Sequence, residues 1–311
     1  MTLDEACTKF LAYCENEKKL SKKTLSAYTI DLRQFTNYLG EEKTNSDSND
    51  VKKEPINEYI DFLYEKNKDK TIRRKVATLN ALFAYLEWKD IIEISPFRRI
   101  KRVIEVKNTP PATITQKEIN NLFKAAEKEL RYFHGKETYS YRAILRDIAS
   151  MKLLFATGAR VSEICTLKKD DIDLSTGEVK LISPKGEERM VKISDKSAIT
   201  ALRAYADAFQ EELSGWEYFF INKRGYILSE QSIRFLLVKY ANLGGIGRHI
   251  TPHMARHTHA TNLLEKGRDI QDVQQQLGHS SITSTQTYTT EEQTYDKAIK
   301  AIAKKHPRRF F

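Results

Sequence analysis

The stretch from 277 to 290, LGHSSITSTQTYTT, places a histidine and a tyrosine nine residues apart among small hydroxyl side chains. Tyrosine is a poor nucleophile at neutral pH, because its pKa near 10 leaves only about one molecule in a thousand as phenolate at pH 7. If Tyr288 reacts, neighbouring groups such as His279 must assist it. The question is which electrophile and which assisting groups the rest of the chain favours.

Two other stretches supply cationic side chains suited to a phosphate. In TPHMARHTHATNLL, His253 and Arg256 are three residues apart and share one face of a helix that begins near Pro252. The positive end of that helix dipole also favours phosphate. In FATGARVSEICTLKKDDID, Arg160 follows a glycine turn, and Glu163 is placed to orient a guanidinium or a histidine.

This combination favours a phosphodiester as the target of Tyr288. Attack on a carbonyl needs an oxyanion hole and an adjacent base, whereas attack on a phosphodiester needs cations around the non-bridging oxygens.

Other interpretations exist for single residues, since an isolated arginine is usually a surface group. His253 and His257 have a spacing found in zinc sites, but the glutamate of the HExxH motif is missing, which disfavours a metal site. We expect His257 and His259 to be packing or support residues.

The elements that must position these residues are mainly helical. Apolar residues at three- and four-residue steps predict a helix over 3–16, and Ser21 is typical of the N-cap of a second helix. The segment 41–50 is predicted as a loop, and two more helices are predicted around 56–63 and 72–86. Basic residues at the edges of these helices are candidate DNA contacts: Lys22, Lys23, Arg73, Arg74 and Lys75.

A basic, proline-containing stretch from 95 to 115 separates two parts of the chain. Pro110 and Pro111 are incompatible with a helix interior and favour an extended path. This stretch carries four further candidate DNA contacts, which either cross a phosphate backbone or stay hydrated: Arg98, Arg99, Lys101 and Arg102. We therefore predict a DNA-binding domain over 1–107, a linker over 108–114 and a catalytic domain over 115–311.

The second part is predicted to be mostly helical, with one hairpin. The sequence EVKLI-SPKGEE-RMVKI, 178–193, has two β-prone runs around a Pro/Gly turn. A tail helix is predicted around Tyr295, Ala298, Ile299 and Ile302. The other predicted helices are 115–132, 141–157, 195–213, 229–243, 253–266 and 269–277.

Composition agrees with a two-domain protein that binds a polyanion. The chain has 311 residues and a net charge of +10, which favours nucleic acid, although a merely soluble basic protein has similar values. It contains no apolar run of the length a membrane helix needs, and its start lacks the pattern of a signal peptide. Cys7, Cys14 and Cys165 have no metal-site spacing. We expect free thiols, packing roles and a cytoplasmic location.

Three ordered segments resemble the conserved motifs of the tyrosine recombinase (phage integrase) family, including its Xer-like members. They are ATGARVSEICTLKKDDID, HMARHTHATNLLEKG and LGHSSITSTQTYTT, and the resemblance extends over about 141–290. It implies a mainly α fold: an N-terminal four-helix core-binding (SAM-like) domain and an α-rich catalytic domain with a small β-hairpin or sheet. The sequence departs from the family at Ala255, where leucine is common, and in a longer segment over 129–141.

The resemblance also implies a role for each matched residue. Arg160 and Arg256 would clamp the scissile phosphate, while His253 and His279 would donate to it or transfer the proton of the nucleophile. Lys185, in the hairpin turn, would be the general acid, although Lys180 and Lys192 lie close by in the same hairpin. Tyr288 would form a 3′-phosphotyrosyl intermediate. Neither a cofactor nor a metal ion is implied, because the cationic side chains take the place of an ion.

The favoured function is therefore a site-specific recombinase or integrase that acts on double-stranded DNA. Chromosome-dimer resolution and mobile-element integration both remain open. A tetramer on DNA is expected, with the C-terminal tail docking on a neighbour, although folding back on its own subunit is the alternative. Two other functions are alternatives: a type IB topoisomerase, which uses similar chemistry to relax supercoils as a monomer, and a DNA-binding regulator that has kept the fold without catalytic activity. The catalytic residue types are all present, which disfavours the regulator.

Overall fold

The computed structural model describes residues 1–100, 112–133 and 138–278, apart from the side chains of residues 42 and 43. The chain divides into two compact units, Met1–Thr109 and Pro110–Phe311. Among the described residues, no helix is long and apolar enough to cross a membrane.

Helices whose apolar faces meet in one core form the described part of the N-terminal unit. Side chains cap the first two, since Thr2 Oγ1 accepts from the Glu5 N–H at 3.2 Å and Ser21 Oγ accepts from the Thr24 N–H at 3.2 Å. The helices are α1 (Leu3–Asn16), α2 (Lys22–Leu39), α3 (Glu41–Thr44), α4 (Lys53–Lys66) and α5 (Asp69–Trp88), with 3-10 turns at Ser48–Asp50 and Pro96–Arg99. The four helices predicted from periodicity are confirmed.

The predicted loop over 41–50 is wrong in part, because it contains α3 and a 3-10 turn. Gly40, at φ 82°, ends α2 and lets the chain start a new helical turn at once. The Thr44 hydroxyl donates to the carbonyl of Gly40 at 2.8 Å, and the Asp47 carboxylate accepts from the Asn49 N–H at 2.8 Å. Such short-range bonds do not show as a hydrophobic period, so the sequence pattern missed them.

Lys75 also differs from the expectation of an exposed cationic edge. It is 4% exposed, and its ammonium donates to Asp31 Oδ1 at 3.1 Å. Lys75 lies three residues after Ile72 and four before Leu79, so it falls on the buried face of α5. A buried lysine requires a partner, and Asp31 of α2 provides it.

The second unit surrounds the helix spanning Tyr139–Thr157 and carries a three-stranded antiparallel sheet. Its described elements, in chain order, are α6 (Gln116–Phe133), α7 (Tyr139–Thr157), α8 (Val161–Cys165), β1 (Ile172–Asp173), β2 (Glu178–Ile182), β3 (Glu188–Lys192), α9 (Lys196–Ala208), α10 (Gln210–Ser214), α11 (Glu230–Leu243), α12 (Pro252–Glu265) and α13 (Ile270–Leu277). The strand order is β1-β2-β3, and Val179 lies opposite Val191. The sheet buries both valines against the helices.

The prediction of a hairpin and of helices near the observed positions is confirmed, with two corrections. The helix predicted over 195–213 is interrupted at Phe209, whose ring is buried in the core. The short elements α8 and β1 were not predicted, because five and two residues are too few for a period to show. The predicted tail helix lies outside the described residues.

The three cysteines are free thiols buried in the two cores, as their spacing indicated. Burial raises the pKa of the Cys7 thiol to about 12, and burial likewise raises the pKa of Cys165 to about 12. Both are therefore neutral packing residues, since the reactive form of cysteine is the thiolate.

Candidate active site

Three arginines from three different elements meet at the C-terminal end of α13. Arg189 of β3 donates from Nε to the carbonyl of Gln276 at 2.9 Å. Arg256 of α12 donates to the carbonyl of Leu277 at 2.6 Å, and Arg160 donates to that of Gly278 at 2.7 Å. The last carbonyls of a helix lack intrahelical partners and carry its negative dipole end, so cationic donors stabilise them. We call Arg160, Arg189 and Arg256 the arginine cluster. The last carbonyl that it contacts belongs to Gly278, the residue immediately before His279.

Arg160 is held on both its backbone and its side chain by Glu163. The chain turns at Gly158, φ 61°, and Arg160 caps the N-terminus of α8. Its backbone N–H donates to Glu163 Oε2 at 2.7 Å, and its Nη1 donates to Glu163 Oε1 at 2.9 Å. The Arg160 side chain keeps 31% of its surface exposed, so a ligand can reach the guanidinium from solvent.

Arg256 lies deeper, on the buried side of the same site. It is 4% exposed, and its Nη1 donates to the carbonyl of Gly158 at 2.8 Å. Its two named bonds thus connect the turn before Arg160 to the end of α13. Arg160 and Arg256 therefore converge, as the sequence pattern predicted.

Glu163 is a fully buried carboxylate that accepts from two arginines. Arg189 donates to it through both terminal nitrogens, at 2.8 Å and 2.6 Å, in addition to the bonds from Arg160. Burial by itself raises the pKa of the Glu163 carboxyl. The hydrogen bonds and charge of Arg189 and the bonds from Arg160 lower it by more, so the net pKa lies below its usual value. Glu163 is ionised at pH 7. Arg189 was not singled out in the sequence, where its position in EERMVKI gave no chemical signal.

Residues 112–294 match the phage integrase family, and residues 7–90 match the N-terminal SAM-like domain of phage integrases. A tyrosine recombinase of Agathobacter rectalis is 39% identical to the chain over 306 residues, covering 97% of this chain and 96% of that protein. Tyrosine recombinase XerC of Herpetosiphon aurantiacus is 34% identical over 302 residues, covering 96% and 94%. The chain belongs to the phage integrase family of tyrosine recombinases.

The solved structure of the XerH site-specific recombinase, bound to palindromic difH substrate in a post-cleavage complex, has the same fold. It aligns with a TM-score of 0.74 at 20% identity, covering 94% of this chain and 84% of that chain. The predicted fold class of this tyrosine recombinase is thus confirmed: mainly α, with a SAM-like N-terminal unit and an α-rich catalytic unit that carries a small sheet.

Two further predicted site residues of the recombinase lie in exposed positions. His253 occupies the first turn of α12, which Thr251 caps by accepting from the Met254 N–H at 3.2 Å. Lys185 lies in the turn between β2 and β3, where Gly186 takes up a φ of 85°. His279 and Tyr288 lie outside the described residues.

His259, expected to be a support residue, lies between α7 and α13, with partners at the Phe155 carbonyl and the Gln276 side chain. Its Nδ1 lies 3.0 Å from the carbonyl of Phe155, which can only accept, so Nδ1 carries the proton. Its Nε2 faces the Gln276 amide nitrogen at 3.4 Å. Burial lowers the pKa of His259 to about 4, so the imidazole is neutral at pH 7. His257 is buried, at 4% exposed, whereas His259 is partly buried.

Gly158→Ala is expected to destabilise the catalytic unit. An added Cβ would lie 2.8 Å from His259 Cδ2, at a φ of 61°. The left-handed backbone costs roughly 1–2 kcal/mol for a non-glycine residue, and overpacking adds roughly 1–3 kcal/mol. Urea denaturation measures the loss. Gly245→Ala is the matched control, since its φ is 68° but nothing lies within 4 Å of its Cβ; an equal loss for both variants would contradict the crowding argument.

The candidate DNA contacts among the described residues of the N-terminal unit are exposed, with the exception of Lys75. Lys22 and Lys23 lie in the first turn of α2, and Arg73 lies near the start of α5. Three more candidates are described. Arg74 pairs with Asp31, Arg98 pairs with Glu87 at 2.9 Å, and Arg99 is exposed. Lys101 and Arg102 lie outside the described residues. Contact of these residues with DNA stays a prediction.

Proposed function

We propose that the chain cleaves and rejoins DNA strands at specific sites through a 3′-phosphotyrosyl intermediate formed on Tyr288. The observation that carries this proposal is the convergence of Arg160 and Arg256 on consecutive carbonyls immediately before His279. Two guanidinium groups at one place are suited to the non-bridging oxygens of a phosphodiester, because each presents a rigid fork of donors.

In the proposed reaction, the phenol oxygen of Tyr288 attacks the phosphorus and its proton passes to an imidazole, His279 or His253. The bond from phosphorus to the 5′ oxygen breaks, and Lys185 protonates the departing 5′ oxygen, which leaves as a 5′-hydroxyl. Arg160 and Arg256 stabilise the charge on the non-bridging oxygens. Attack by a 5′-hydroxyl on the phosphotyrosyl bond reverses these steps, so rejoining consumes no high-energy cofactor.

Lys185 is preferred over Lys180 as the general acid. Lys180 forms an ion pair with Asp171 at 3.0 Å, and the hydrogen bond and charge of that carboxylate raise the pKa of the Lys180 ammonium. A raised pKa makes an ammonium a weaker acid. Lys185 lies at the exposed tip of the hairpin, where it can reach a DNA backbone.

We propose that residues 1–107 form the core-binding domain, and that 108–114 connect them to the catalytic domain, 115–311. Duplex DNA would lie against exposed basic residues of the first domain, including Lys22, Arg73 and Arg99. We further propose a cytoplasmic location, in line with three buried free thiols.

Deletion of residues 291–311 is expected to abolish strand exchange and to retain binding to a single site. We propose a tetramer on DNA whose subunits are joined through this tail. The segment contains Tyr295, Ala298, Ile299 and Ile302 and ends in two phenylalanines, which gives it an apolar surface to bury on a neighbour. Gel-shift and recombination assays measure the two activities; unchanged strand exchange by the truncated chain would contradict the docking.

The proposed function is tested by trapping the covalent complex and sequencing the DNA. The purified chain is incubated with fragmented genomic DNA from its source, denatured rapidly and recovered with any attached strands. We expect one recurrent sequence, attached through its 3′ end. Attachment to unrelated sequences, together with relaxation of supercoiled plasmid at limiting protein, would instead indicate a topoisomerase.

A further inference from the structure

Arg189 contacts both Glu163 and the end of α13 within the arginine cluster. Neither its position nor its neighbours in the sequence suggested a role. It belongs to β3, opposite Leu181 of β2, and its side chain is 9% exposed. Through its three named bonds it contacts Glu163 twice and the carbonyl of Gln276 once. Its guanidinium also lies directly against Gly278, where an added Cβ would be 3.1 Å from Arg189 Nη1.

The charges at Glu163 suggest what this arrangement does. With Arg160 alone as partner, the buried carboxylate would cancel the positive charge of the guanidinium that must attract a phosphate. With Arg189 also bound, one negative and two positive charges remain, a net charge of about +1 around Glu163. In a poorly hydrated site such a difference is weakly screened, so the potential at Arg160 depends on Arg189.

The geometry has a second consequence for Arg160. Both oxygens of Glu163 accept from Arg189, and each also accepts from Arg160, through the backbone N–H and through Nη1. A bidentate pair fixes the plane of the carboxylate. The Arg160 guanidinium is then held at two points, by its Nη1 bond to this carboxylate and its Nη2 bond to the carbonyl of Gly278.

We propose that Arg189 is a positioning residue that offsets the charge of Glu163, so that the positive potential at Arg160 and the orientation of its guanidinium are kept for the scissile phosphate. The proposal rests on the function proposed above. Arg189 itself does not contact the reacting atoms in this scheme. It acts through Glu163 on Arg160, and through Gln276 and Gly278 on the segment that leads into His279.

The test compares covalent cleavage with DNA binding in Arg189→Met. The substrate is a nicked duplex carrying the site recovered by trapping, and the single-turnover rate of adduct formation is measured beside affinity by gel shift. We expect a loss of about a hundredfold in rate with affinity changed by less than about threefold. Arg248→Met is the matched control, because Arg248 also donates twice to a glutamate, Glu118, and once to a carbonyl, that of Thr113. It is expected to cleave at the parental rate.

A double substitution separates the charge role from a merely structural one. In Arg189→Met with Glu163→Gln, the uncompensated carboxylate is gone, so the charge of Arg160 is no longer cancelled. We expect the double variant to cleave about tenfold faster than Arg189→Met alone, whereas two independent losses would add and make it slower. A double variant no faster than Arg189→Met would overturn the charge role.

The outcomes also distinguish this proposal from the function on which it rests. An adduct formed by the parent chain together with an unchanged rate in Arg189→Met would overturn the proposal for Arg189 alone. No adduct of the parent chain with any fragment of the genomic DNA would overturn both. Circular dichroism melting of each variant gives its midpoint of unfolding, and all rates are compared at a temperature below the lowest midpoint, so that each rate is that of folded protein and a gain in the double variant reports charge rather than refolding.

Discussion

Tyr288→Phe is expected to abolish the covalent protein–DNA adduct completely while leaving DNA affinity nearly unchanged. The substitution removes one oxygen atom, the proposed nucleophile, and keeps the aromatic ring. No adduct can form without that oxygen, whereas binding depends on many phosphate contacts elsewhere. Denaturing gel electrophoresis measures the adduct, and gel shift measures affinity, which we expect to change by less than about threefold.

Tyr295→Phe is the control for this result, because it removes the same atom seven residues later in the chain. We expect that variant to form the adduct at the parental level. An adduct that persists in Tyr288→Phe would show that the nucleophile is another residue, and its loss in Tyr295→Phe would identify that residue. Loss of both adduct and binding in Tyr288→Phe would mean that the phenol contributes to folding or to the DNA interface.

The sequence predicted those parts of the fold that repeat a pattern over many residues. The helices now seen as α2, α5 and α7 each carry an apolar period of several turns, and the hairpin has two β-prone runs around a turn. The short elements α3, α8 and β1 depend on capping and tertiary contacts, so no hydrophobic periodicity in the sequence predicts them. Lys75 was misplaced for a related reason: a charged residue on an apolar stripe is buried only when a partner such as Asp31 exists, and that partner lies on another helix.

The candidate site was predictable where residue type alone determines the chemistry. Arg160, Glu163 and Arg256 were identified by type and spacing, and the structure brings them together. Arg189 could not be found in this way, because its importance lies in contacts with residues 26 and 87 positions away. A basic residue in a strand is ordinarily a solvated side chain, and only the fold shows that this one is buried against a carboxylate.

Arg160→Lys is expected to lower the rate of adduct formation by about a hundredfold or more. Lysine keeps the positive charge but not the planar fork, and one ammonium cannot hold Glu163, the carbonyl of Gly278 and a phosphate in the geometry of a guanidinium. Arg160 donates to the first two at 2.9 Å and 2.7 Å through different nitrogens. The single-turnover cleavage rate on a nicked substrate measures the effect.

Arg203→Lys provides the comparison for that prediction, since Arg203 also donates to a carbonyl, that of Leu174, at 2.7 Å, but belongs to the exposed surface of α9. It is expected to cleave at the parental rate. Equal rates for Arg160→Lys and the parent chain would mean that charge alone suffices at this position. In that event the fixed plane of the guanidinium would have no catalytic role, and the bidentate contacts of Glu163 would serve folding only.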